Sequence, residues 1–158
     1  MAIDWLTNGN LQLSYRIIGQ PQHIRLPAPA TAGPADNLWQ HTCCEAFIAA
    51  VDTPQYREFN FAPSGQWATY RFTGYRQRDL DDRVAGAPNI SLQRLSDGCQ
   101  LIAEVPAALL PNGHPLQLGL SVVIEDHNAA KSYWALTHAA AQPDFHQPAS
   151  FTYSLPRP

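Results

Sequence analysis

This chain of 158 residues has a single lysine, a single methionine and three cysteines, and no apolar run approaches the ~20 residues that span a bilayer. Each scarcity excludes something. Ten basic residues against thirteen acidic leave a net charge of −3, so there is no basic stripe of the kind duplex nucleic acid requires. Neither nucleic acid nor a membrane is therefore expected as a partner. The methionine is Met1, which leaves no side chain for a methionine–histidine pair around a haem iron. Cys43 and Cys44 are adjacent and Cys99 is remote, a spacing that gives neither a disulfide framework nor a cysteine zinc motif. The three are expected as reduced, packed thiols. The start Met1-Ala2-Ile3-Asp4-Trp5 lacks a basic segment followed by an apolar stretch, so no secretory signal is visible and a cytoplasmic location is expected.

What is present is proline and strand-like alternation. Fourteen prolines and 45% hydrophobic residues suit one loop-rich domain over residues 1–158 with a substantial core. Leu11, Leu13, Tyr15 and Ile17 alternate with Gln12, Ser14 and Arg16, the signature of a half-buried strand. A short second strand is expected at Gln22–Leu26, and Pro27–Asn37 reads as a crossing loop. Between Gly74 and Pro88 mixed arginines and aspartates indicate a solvated loop. Ser96-Asp97-Gly98 marks a turn between strands at Ile90–Leu95 and Cys99–Val105. Pro106–Leu110 offers one helical turn. Leu116–Ile124 and Ser132–His138 form another hairpin, and a last strand runs near Phe151–Leu155. The expected fold is all-β, an antiparallel sandwich of jelly-roll or immunoglobulin-like type with about 9–11 strands and at most short helical turns.

The centre of the chain carries the chemistry. From His41 to Val51, parity places Thr42, Cys44, Ala46 and Ile48 toward a core and His41, Cys43 and Glu45 on the other side. Tyr56–Ala62 and Gln66–Phe72 flank Pro63-Ser64-Gly65, a tight reversal. Pairing Ala62 with Trp67 sets Glu58 opposite Arg71 and Asn60 opposite Thr69 on one face, with Phe59 meeting Tyr70 and Phe61 meeting Ala68 on the other. Favourable cross-strand pairs of this kind contribute roughly 0.2–1 kcal/mol each, and a slip of one residue would set Arg57 against Arg71.

Trp39-x5-Glu45, Tyr56-Arg57-Glu58-Phe59-Asn60, Pro63-Ser64-Gly65-Gln66-Trp67 and, downstream, Ser132–His138 with Pro143-Asp144-Phe145-His146 and Phe151 together resemble the DOMON-like β-sandwich domains related to family 9 carbohydrate-binding modules. The likeness runs from Leu38 to the end. It implies a jelly-roll-like sandwich of the stand-alone bacterial type whose relatives bind sugars or haem. In the sugar-binding relatives an aromatic followed six residues later by a glutamate holds a terminal sugar, a spacing that Trp39 and Glu45 reproduce. Trp67 and Trp134 are candidates for a second stacking ring.

The expected function is a non-catalytic domain that binds a carbohydrate or sugar-containing metabolite through Trp39, His41, Glu45, Asn60, Trp67, Arg71 and Trp134, since sugars need an aromatic face beside convergent polar groups. The bland reading of the same residues is a solvated sheet face with a cross-strand Glu58–Arg71 ion pair. No cofactor is called for. A haem-binding domain held by histidines and a protein-interaction or assembly module, including a homo-oligomer, stay open as alternatives. His138, Asp144 and His146 are weak candidates for a metal site, set against a loop that hydrogen-bonds to itself. Catalysis is not expected, because an arginine opposite Glu58 would keep it ionised and unfit as a general acid.

Overall fold

Alternating short strands punctuated by proline and glycine leave no stretch long enough for an α-helix. In a computed structural model describing residues 1–83, 86–113 and 115–158, twelve strands form: β1 Ala2–Trp5, β2 Leu11–Ile18, β3 Gly33–Pro34, β4 Cys43–Ala50, β5 Tyr56–Phe61, β6 Gln66–Gly74, β7 Gln77–Arg78, β8 Asn89–Leu95, β9 Gly98–Val105, β10 Leu116–Glu125, β11 Lys131–Ala135 and β12 Tyr153–Leu155. The helical content among the described residues is four short 3-10 turns. One sheet has the order β1-β2-β9-β8; the larger has β11-β10-β4-β5-β6-β3, with β12 also pairing β10 and β7 pairing β6. All pairs are antiparallel except β3 with β6.

The two sheets form a β-sandwich around one apolar cluster. Leu11, Leu13, Tyr15 and Ile17 of β2 and Leu101, Ala103 and Val105 of β9 face Cys44, Ala46, Ile48, Phe59, Phe61, Leu118 and Leu120 of the larger sheet. Burying each large apolar side chain there is worth about 1.5–3 kcal/mol. A buried polar bond crosses this layer: the Tyr15 hydroxyl donates to the Glu45 carbonyl over 2.8 Å. The turn at Ser96-Asp97 closes with Leu95 opposite Gly98. A Cβ on Gly98 would lie 1.9 Å from the Ile17 carbonyl oxygen, so only glycine lets β9 approach β2 at this end. All three cysteines are buried and free.

Three expected segments are corrected. The Gln22–Leu26 segment begins in a 3-10 turn, Pro21–His23, and contains no strand. Its backbone is satisfied by single bonds to the larger sheet: Arg25 N–H donates to the Glu125 carbonyl at 2.8 Å and the Thr42 hydroxyl donates to the Arg25 carbonyl at 2.7 Å. The crossing loop at Pro27–Asn37 contains the short parallel strand β3, and the polar loop at Gly74–Pro88 contains β7 and includes Val84 and Ala85, which lie outside the described residues.

The central hairpin is shifted by one residue from the expected pairing. Phe61 faces Trp67, Glu58 faces Tyr70 and Arg57 faces Arg71. The turn is the cause. Gly65 N–H donates to the Ala62 carbonyl at 3.0 Å, Ala62 N–H donates to the Gln66 carbonyl at 2.9 Å, and Gly65 sits at φ +92°. That is a three-residue loop closed by a glycine bulge, which sets Ala62 against Gln66 rather than Trp67. The like charges brought together are neutralised from the following loop. Asp82 holds Arg57 in a bidentate pair at 2.8 and 2.9 Å, and Asp79 accepts from Arg71 Nε at 2.8 Å.

Candidate functional site

The face of the larger sheet turned away from the sandwich gathers Glu45, Glu58, Asn60 and Ser121. Register places Glu45 opposite both Asn60 and Ser121, and Glu58 opposite both Phe47 and Tyr70. These residues therefore share one side. Over half of this face the chain after β11 folds back, packing Phe151 and His146 against Phe47, Tyr56 and Phe72. The other half remains open as a cavity of about 740 Å³, with Glu45 and Glu58 at its floor and Trp39, Tyr70, Arg78 and Tyr133 in its walls.

Both floor carboxyls are almost fully shielded from solvent. Glu45 is 3% exposed, and its Oε2 accepts from the Ser121 hydroxyl at 2.9 Å. Burial, reinforced by the neighbouring Glu58, pushes its pKa up from 4.5 to about 8 against the opposing Ser121 bond. Glu58 accepts from the Asn60 amide at 2.6 Å. Burial raises it too, while Asn60, Arg76 and Arg78 pull it partly back.

His146 stands behind Glu58, with Nε2 3.7 Å from Glu58 Oε2. Its Nδ1 lies 2.8 Å from the Tyr56 hydroxyl, which accepts from Arg76 N–H at 3.1 Å. The tyrosine proton is then free for Nδ1, which puts the histidine proton on Nε2, facing Glu58. Burial and the Arg76 charge hold His146 down from 6.5 to about 4, so it is neutral near neutral pH. Arg76 adopts φ +55° and directs its guanidinium to Asp144 at 2.8 Å. Arg78 lies over the Tyr70 ring, 4.0 Å from its centroid, and the Tyr70 hydroxyl donates to Asp36.

The sequence-derived candidates separate into two groups. Trp39 and Glu45 line the cavity, and Asn60 supports it from beneath through Glu58. Arg71 lies on the opposite side of β6 and pairs with Asp79, so the expected Glu58–Arg71 pair does not form. Trp67 shares that opposite side, facing Phe61. Trp134 pairs with Val122, a core-side residue, and donates to the Ser132 hydroxyl at 3.0 Å. His41 lies 2.7 Å from Glu125 Oε2, beside Arg25. Tyr70, expected on the face of Phe59, is instead a cavity wall opposite Glu58.

His138, Asp144 and His146 are not brought together, and no group of three or more histidine, cysteine or acidic residues among those described is placed to hold a metal. His138 packs near Phe145, with ring centroids 6.0 Å apart. Asp144 accepts from His146 N–H at 3.2 Å and from the Gln147 amide at 3.2 Å, the self-bonded loop of the bland reading.

Tyr70, Arg78, Asp36 and Tyr133 were missed by sequence reasoning. Tyr133 had a usable signal, since it alternates with Trp134 and its strand partner Val123 stands beside Cys43 on the outer face. Arg78 and Asp36 had none, because Arg78 sits on the two-residue strand β7, too short to show alternation, and Asp36 on a loop.

No family model matches the chain, and no curated protein matches it in sequence. Among solved structures it is similar to a protein from Bacteroides uniformis ATCC 8492 described as a "putative carbohydrate-binding protein". The TM-score is 0.59 at 16% identity, covering 93% of this chain and 71% of that one. At that identity the likeness is one of fold: the chain shares the architecture of that protein, and its own cavity chemistry must carry any functional reading.

Proposed function

We propose that this chain is a non-catalytic binding domain for a carbohydrate or sugar-containing metabolite, held in the cavity on the outer face of the larger sheet. The observation that carries the reading is the meeting of an aromatic wall with buried acceptors: Trp39 is 49% exposed and lines the same cavity as Glu45 and Glu58. A sugar ring offers a C–H face for stacking and hydroxyls for hydrogen bonds, and a concave site with both features excludes water from each. The fold likeness to a "putative carbohydrate-binding protein" supports the same reading. So does the Trp39-x5-Glu45 spacing of the DOMON-like and family 9 resemblance. In this reading Trp39 stacks on the ring, Glu45 and Glu58 accept from hydroxyls, Asn60 orients Glu58, and Tyr70 and Tyr133 complete the walls.

Titration calorimetry against mono- and disaccharides and nucleotide sugars tests it. Saturable binding is expected, with Trp39→Ala lowering affinity more than about tenfold and leaving the melting transition in place. Binding no better than several millimolar across the panel would remove the reading. Incubation with aryl glycosides is expected to release no phenol.

A further inference from the structure

We propose that the sugar taken by this cavity is an amino sugar, whose ammonium group lies on the floor between Glu45 and Glu58. The inference rests on the carbohydrate reading and narrows its ligand class. Two carboxyl groups, 3% and 5% exposed, lie side by side on the floor with no arginine or lysine within salt-bridge distance among the described residues. Glu45 Oε1 has no protein donor among those residues, since its Ser121 bond goes to Oε2. The nearest ionisable partner of Glu58 is His146 at 3.7 Å, a neutral ring near neutral pH.

The arginines of the cavity are engaged elsewhere: Arg76 with Asp144 at 2.8 Å, Arg78 with the Tyr70 face at 4.0 Å. A buried carboxylate without a counter-charge is costly, and a cation delivered by the ligand removes that cost. An ammonium also supplies three donors where a hydroxyl supplies one, and the Trp39 ring adds a cation–π surface beside it. Burial, with Glu58 beside it, raises the Glu45 pKa, and an ammonium between the two would favour the ionised form of both. A sugar carboxylate would add a further anionic group beside Glu45 and Glu58, with no arginine or lysine within salt-bridge distance of either among the described residues, so acidic sugars are disfavoured.

The test is calorimetry on the full chain at neutral pH with matched pairs of gluco, galacto and manno configuration: each free sugar, its 2-amino and its 2-acetamido derivative, with glucuronic acid as the acidic arm. In the configuration that fits, the 2-amino sugar is expected to bind at least about tenfold more tightly than its neutral and acetylated counterparts, as a charge-assisted bond replaces a neutral one. Glucuronic acid should bind more weakly than glucose. In Glu45→Gln, which keeps an acceptor for Ser121, the amino-to-neutral affinity ratio should fall toward one. Neutral sugars that bind as well as their amino counterparts, or a ratio unchanged in Glu45→Gln, would overturn the inference and leave the carbohydrate reading standing. Absence of binding by every member overturns both.

Discussion

Along β4, successive residues are equally hidden from solvent but lie in two different media. Cys44, Ala46 and Ile48 enter a dry layer between the sheets. Cys43, Glu45 and Phe47 are as deeply buried on the outer side, yet that side gathers two carboxyls, an amide, a hydroxyl and an imidazole around an open cavity. Burial alone therefore does not identify a core. The distinguishing property is the polarity of what is buried: the inner layer is apolar side chains, whereas the outer face gathers carboxyls that line the cavity.

Perturbing the two media should give different responses. On the dry side Phe59, fully buried, opens a cavity when cut to alanine, and Phe59→Ala should lower unfolding free energy by about 3–5 kcal/mol in urea titrations. At the margin of that side Asp82→Ala strips the bidentate partner from Arg57, whose side chain is 12% exposed, and leaves it beside Arg71. A loss of about 3 kcal/mol is expected from such an uncompensated charge.

The wet side should reveal itself through pH. Glu45 holds its proton longer in the folded chain, so its contribution to stability is complete below 4.5 and is lost as pH rises through about 8. His146 acts in the opposite direction, contributing fully above 6.5 and losing its contribution as pH falls through about 4. Between 6.5 and 8 the glutamate acts alone of the two, so stability should fall by on the order of 2 kcal/mol across that window. Glu45→Gln should flatten it, and a flat wild-type profile would put the outer face in the same class as any exposed surface. The smallest effect belongs to Asp79→Ala: its partner Arg71 is 51% exposed, and the urea midpoint should move less than in Asp82→Ala.

Parity was legible in the sequence where a strand buries one side. The alternation at Leu11–Ile18 matches β2 residue for residue, and Glu45 and Asn60 do share a face as cross-strand partners. What strand periodicity did not reveal was the glycine bulge at Gly65, and the resulting one-residue offset sent Arg71 to the far side of β6 and Tyr70 to the cavity. Charge pairing argued for the wrong register, because the aspartates that neutralise Arg57 and Arg71 come from a loop whose position no pattern of alternation encodes. Arg78, on the two-residue strand β7, and loop-borne Asp36 were invisible for a similar reason. Trp134 drew attention by its size, although its neighbour Tyr133 holds the useful parity.

The three-residue loop between Ala62 and Gln66 has a consequence for how such a domain can change over time. Insert one codon there, with β5 left in place and the loop still closing over three residues, and every side chain of β6 trades sides. Tyr70 and Phe72 would turn inward, and Trp67, Thr69 and Arg71 would come to border the ligand. Arg71 would then stand beside Glu58, giving the floor the resident cation it now lacks. A one-residue slip at this turn, with no substitution in any strand, would convert a floor suited to positive ligands into one suited to neutral or acidic ones.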